Sequence, residues 1–68
     1  MRVLQLTGMM PKNQKIDIID IFDRHEKPQF EGVANDINKY HRYADRFVTR
    51  IESYEYEGES VICMKICY

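Results

Sequence analysis

Two alternating runs, FVTRIESYEY from Phe47 and SVICMKICY from Ser60, flank a short glycine-containing segment, EGE. Branched and aromatic residues at every second position on either side of such a turn predict a β-hairpin. This hairpin restricts the fold more than any other feature, because the chain has only 68 residues. A chain so short builds one marginal core, so the sheet that the hairpin begins must dominate the molecule. On the last run Ile62, Met64, Ile66 and Tyr68 share one face, and Val61, Cys63 and Cys67 share the other with Lys65. Both faces therefore carry apolar side chains.

The remaining elements follow from the same periodicities. KIDIIDIF, from Lys15, is rich in branched apolar residues and predicts a strand with Ile16, Ile18 and Phe22 on one side and Ile19 and Ile21 on the other. DRHEKP is a turn, and QFEGVA is a returning strand in which Gly32 permits a bulge or a close backbone approach. NDINKYHRYADR places Ile37, Tyr40 and Ala44 at helical spacing behind Asn35 as N-cap. RVLQLTGMMP favours a short helix through Val3, Leu6 and Met10 that ends by Pro11, over a short strand through Leu4 and Leu6, with PKNQ as a turn. The expected fold is α+β: one domain spanning 1–68, ordered α-β-β-α-β-β, with a four-stranded antiparallel sheet. Two short helices cover one face of such a sheet and not both, so the second face is expected to meet another copy in a homodimer.

Composition excludes several classes of function. An apolar fraction of 44% beside 31% charged residues belongs to a folded globular domain, and a net charge of −1 is not the strongly basic balance of a simple nucleic-acid binder. No run approaches a membrane helix, and the N-terminus lacks the features of a signal peptide, so a cytoplasmic location is expected. Cys63 and Cys67 lie on one predicted strand, roughly 13 Å apart at 3.3 Å per residue, too far for a disulfide. They are expected to be free thiols, without the spacing or second ligand pair of a zinc site. No phosphate loop, dinucleotide fingerprint, zinc-protease helix or nucleophile elbow is present. His25 and His41 stand without periodic partners and are expected on the solvated surface. Asp17 and Asp20, three apart, face opposite sides of a strand and form no carboxylate pair. Neither a catalytic residue, a metal nor a cofactor is expected.

Local charge is more informative than net charge. Glu52, Glu55, Glu57 and Glu59 crowd the hairpin tip with Tyr54 and Tyr56, and no lysine or arginine lies among them. Phase divides the tip, with Glu52, Tyr54 and Tyr56 on one face and Ile51, Ser53 and Glu55 on the other. Carboxylates beside tyrosines offer acceptors together with apolar area, a composition suited to protein recognition. Charge on an edge hairpin also serves simply to keep it soluble and unpaired. Lys39, Arg42, Arg46 and Arg50, interleaved with Tyr40, His41 and Tyr43, form a second candidate surface, able to contact phosphate and stack bases. The same pattern arises when long side chains cover a small core with their stems.

The order LQLTGMMP, KIDIID, QFEGVANDI, DRFVTRIESY, VICMKI resembles the small accessory proteins encoded by phages and prophages of Gram-positive bacteria. The resemblance covers most of the chain and rests on structural motifs. It implies a host-protein inhibitor, such as an anti-CRISPR protein acting on a nuclease or another nucleic-acid enzyme, and carries no catalytic residue over. The first expectation is accordingly a non-catalytic binding protein whose residues 52, 54, 55, 56, 57 and 59 engage a basic groove on a bacterial host protein. The alternatives are a nucleic-acid-binding module using residues 39, 42, 46 and 50, and a structural subunit of an assembly.

Overall fold

A computed structural model of the chain describes residues 1–67, so the expected sharing of one face by Tyr68 with Ile62, Met64 and Ile66 lies outside the described residues. The elements run α1 (Val3–Thr7), β1 (Lys15–Asp20), β2 (Pro28–Val33), a 3-10 turn (Ala34–Asp36), β3 (Val48–Tyr56) and β4 (Glu59–Ile66). The four strands form one sheet in the order β2-β1-β4-β3.

The hairpin is as expected. β3 and β4 pair antiparallel from Val48 opposite Ile66 to Tyr56 opposite Glu59, leaving Glu57 and Gly58 as the loop. Both loop residues have positive φ, 52° and 78°, the backbone of the two-residue turn that matches strand twist. Glycine meets that demand without strain at position 58.

The sheet is mixed, not antiparallel. β1 pairs antiparallel with β2 but parallel with β4, Ile16 beside Ile62 and Ile18 beside Met64. The chain leaves β2, crosses the sheet over residues 34–47, and lays β3 at the far edge, from which β4 returns between β3 and β1. That crossing puts both doubly apolar strands at the centre. Apolar side chains on both faces of β1 and β4 are thus a mark of central position.

The second helix is absent. Beyond the 3-10 turn, residues 37–46 descend in successive turns, with N–H to C=O bonds from His41 to Asn38, Ala44 to His41 and Arg46 to Tyr43. Side-chain acceptors displace the helical pattern: Asn38 Oδ1 takes the Tyr40 N–H at 2.8 Å, and His41 Nδ1 takes the Tyr43 N–H at 3.2 Å. Asn and His thereby offer the backbone a local alternative to helix. Asn35 lies inside the 3-10 turn and does not cap a helix. Tyr43 replaces Tyr40 as the buried ring, 4% exposed against 84%.

α1 forms but ends at Thr7, before the expected limit at Pro11. Gln5 Oε1 caps the Arg2 N–H at 2.7 Å. Backbone bonds from Val3 to Arg46 and from Leu4 to Ala44 tie the helix to the turns of 37–46. Together they close one face over Val3, Ile16, Ile18, Ile37, Tyr43, Ala44, Met64 and Ile66. Phe22 is not part of this core. β1 stops at Asp20, whose Oδ1 accepts the Phe22 N–H at 2.9 Å, and Phe22 is exposed. Gly32 marks a close approach, since a Cβ there would lie 2.7 Å from the Phe30 ring and from Asp36 Oδ2.

Among the described residues no element covers the second face. Ile19, Val61 and Cys63 are nevertheless buried on it. Their cross-strand neighbours are long side chains, Lys65 beside Ile19 and Tyr54 opposite Val61. Such side chains shield apolar surface with their bodies and keep their polar ends wet. The apolar area that suggested a second subunit is largely closed within one chain.

Candidate functional site

The second face brings chemistry together because strand register does so. Lys15, Asp17 and Ile19 of β1 point to it, as do Glu31 and Val33 of β2, Glu52, Tyr54 and Tyr56 of β3, and Glu59, Val61, Cys63 and Lys65 of β4. An open cleft of about 590 Å³ lies here, lined in part by Lys15, Asp17, Glu31, Asp36, Tyr54 and Tyr56.

Asp17 is the centre of this arrangement. It is a buried carboxylate on a central strand, and the Tyr54 hydroxyl donates a hydrogen bond to its Oδ2. Its cross-strand neighbour on β2 is Glu31, a second carboxylate. Like charges directly opposite one another destabilise a sheet. The cations on this face are engaged elsewhere: Lys15 Nζ with Glu59 at 2.8 Å, Arg50 Nε with Glu52 at 3.5 Å, and Lys65 Nζ with Glu26 at 3.2 Å and Glu52 at 3.6 Å. Among the described residues neither Asp17 nor Glu31 has an ion-pair partner.

The ionisation of neighbouring groups registers this local charge. The hydrogen bond to Asp17, then loss of solvent, then the carboxylate's charge push the Tyr54 phenol up to about 12. Burial, followed by the charges of Asp17 and Glu52, raises the Cys63 thiol. Lys65 is raised by its bond to Glu26, and Lys15 by its bond to Glu59. Tyr54 and Cys63 are held protonated at neutral pH, the reverse of what an activated nucleophile requires. Among the described residues no three His, Cys, Asp or Glu side chains converge to hold a metal ion.

The tip divides by phase as expected. Glu52, Tyr54 and Tyr56 are on the second face, joined there by Glu59, whereas Glu55 is on the opposite face with Ile51 and Ser53. Glu57 sits in the turn. All are exposed.

The basic set is not brought together. Lys39 lies over the exposed Tyr40 ring at 5.1 Å, and Arg42 over Tyr43 at 5.4 Å. Tyr43 is part of the core and is no platform for a base. Arg46 lies in the same turns, with its backbone N–H on Tyr43. Arg50 belongs to β3, on the second face beside Glu52. His41 is not a solvated surface histidine: its ring meets Phe30 edge-on at 4.9 Å. His25 is exposed in its turn. Cys63 and Cys67 are free, the first buried and the second exposed.

Sequence alone does not distinguish Glu31, Asp36 or Lys15, and it marks Asp17 only as unable to pair with Asp20. The available signal was Asp17 itself, a carboxylate flanked by Ile16, Ile18 and Ile19. No protein-family model, curated protein or solved structure matches the chain.

Proposed function

We propose that the chain is a non-catalytic binding protein whose second sheet face receives a basic protein partner. The observation that carries this reading is the like-charged pair of Asp17 and Glu31, without a cation, beside Tyr54 and Tyr56 in an open cleft. An arginine or lysine entering there relieves the repulsion between the carboxylates and packs its stem on tyrosine rings. The cleft's openness suits a side chain presented by a protein surface better than an enclosed small molecule.

A host nucleic-acid enzyme is the partner that the resemblance to phage accessory proteins suggests. Its basic groove has the complementary charge, and the chain then acts as an inhibitor, as anti-CRISPR proteins do. The nucleic-acid-binding alternative has weaker support, because Arg50 projects from the second face while Lys39 and Arg42 belong to the turns that cover the first, and Tyr43 is buried. The test is capture from a nuclease-treated bacterial lysate with tagged chain, alongside a folded Glu31→Lys, Glu52→Lys variant. Salt-sensitive capture of a nucleic-acid enzyme by the native chain alone supports the reading. Identical capture by both contradicts it.

A further inference from the structure

β3 is an edge strand of nine residues. Its two-residue loop fixes which of its backbone groups are free. Tyr56 and Glu59 flank that loop as a mutually hydrogen-bonded pair, and antiparallel pairing then alternates bonded and non-bonded pairs along the ladder. Tyr54 with Val61 and Glu52 with Cys63 are bonded pairs, while Glu55 with Ser60, Ser53 with Ile62 and Ile51 with Met64 are not. The N–H and C=O groups of Ile51, Ser53 and Glu55 therefore point away from β4, toward the open edge. Towards the start of β3 the edge is occupied, since Val48 N–H donates to Met1 C=O at 2.8 Å and Arg2 bridges to Phe47. The vacant length lies between that bridge and the turn.

We infer that this edge accepts an extended, lysine- or arginine-bearing segment of the partner as a fifth strand. The inference rests on the binding reading above and names the element through which the partner is held. Charge selects the occupant. From Ile51 onward β3 carries Glu52 and Glu55, Glu57 follows in the turn, and no lysine or arginine lies among them. Two copies joined edge to edge set these acidic strands side by side, so the charges that oppose self-pairing favour a basic strand. Strand addition places alternate side chains on opposite faces. On the second face they lie beside Glu52, Tyr54 and Tyr56, where lysine or arginine fits. On the other face they lie beside Ile51, 53% exposed, and Glu55, where an apolar residue followed by a basic one fits.

The test is amide hydrogen exchange on the full chain with an end-capped octapeptide that alternates lysine and valine. The expected result is slowing of exchange at Ile51, Ser53 and Glu55 by about tenfold or more, lost when glutamate replaces lysine in the peptide. Ser53→Pro removes one outward N–H that the native ladder does not use, and it weakens peptide binding about tenfold. Glu55→Lys, which leaves the backbone intact, weakens binding as well. Peptide binding that perturbs Asp17, Glu31 and Tyr56 but leaves the three edge amides exchanging freely overturns the added strand and preserves the acidic-face reading. Absence of binding, or equal binding of the glutamate peptide, overturns the inference. Protection that appears without peptide and grows with protein concentration overturns it too, by assigning the edge to a second copy.

Discussion

The two faces of the sheet are made from the same strands and closed by different physics. On one face Ile16, Ile18, Met64 and Ile66 are sealed by α1 and the turns of 37–46. On the other, Ile19, Val61 and Cys63 are screened by Tyr54 and Lys65, and charges stand where a covering element would lie. The first face holds the fold and tolerates no polar group without a partner. The second holds a buried carboxylate, Asp17, opposite another, Glu31. A chain this small has little stability to spare for such an arrangement.

The comparison breaks first at the core. Met64→Ala removes a fully buried side chain and should cost about 2–5 kcal/mol, comparable to the whole stability of a domain this size. Circular dichroism should show a chain largely unfolded at room temperature. Retention of a native melting curve would mean that the covered face does not carry the fold.

Asp17→Asn should behave oppositely. It keeps an acceptor for the Tyr54 hydroxyl and removes the like charge facing Glu31, so stability should change by less than about 1 kcal/mol, a shift of a few degrees in Tm. Loss of most of the stability would make Asp17 a structural residue.

Spectrophotometric titration sharpens the electrostatic side of the comparison. One tyrosine should ionise late, near pH 12, and Tyr54→Phe should abolish that late step. Because the folded phenol lies above its ordinary value of 10.0, its contribution to stability is complete below pH 10 and disappears as pH rises toward 12. Smaller still is the difference between the thiols. Brief alkylation near neutral pH should modify exposed Cys67 and spare Cys63, which is buried and raised. Equal labelling would mean that the second face opens readily to solvent.

Local features of this fold were legible and long-range ones were not. The hairpin, β1, β2 and α1 follow from periodicity and from Gly58, because each depends on neighbours in sequence. The helix expected in NDINKYHRYADR does not form because the apolar spacing of Ile37, Tyr40 and Ala44 is outweighed by the local acceptors of Asn38 and His41. The parallel pairing of β1 with β4 depends on where a long crossing lands. Its trace was the apolar character of both faces of both strands, which is what a central position demands. The tip tyrosines and glutamates were found by composition, whereas Asp17 and Glu31 meet only through pairing of β1 with β2.

The most direct measurement is calorimetric titration of a short oligoarginine at low and high salt. It compares the native chain with Asp17→Asn, Glu31→Gln on the second face and with Lys39→Gln, Arg42→Gln on the covering turns. Salt-sensitive binding is expected, left unchanged by the second pair and weakened about tenfold or more by the first. Binding indifferent to Asp17 and Glu31, or no binding at all, would contradict the acidic-face reading.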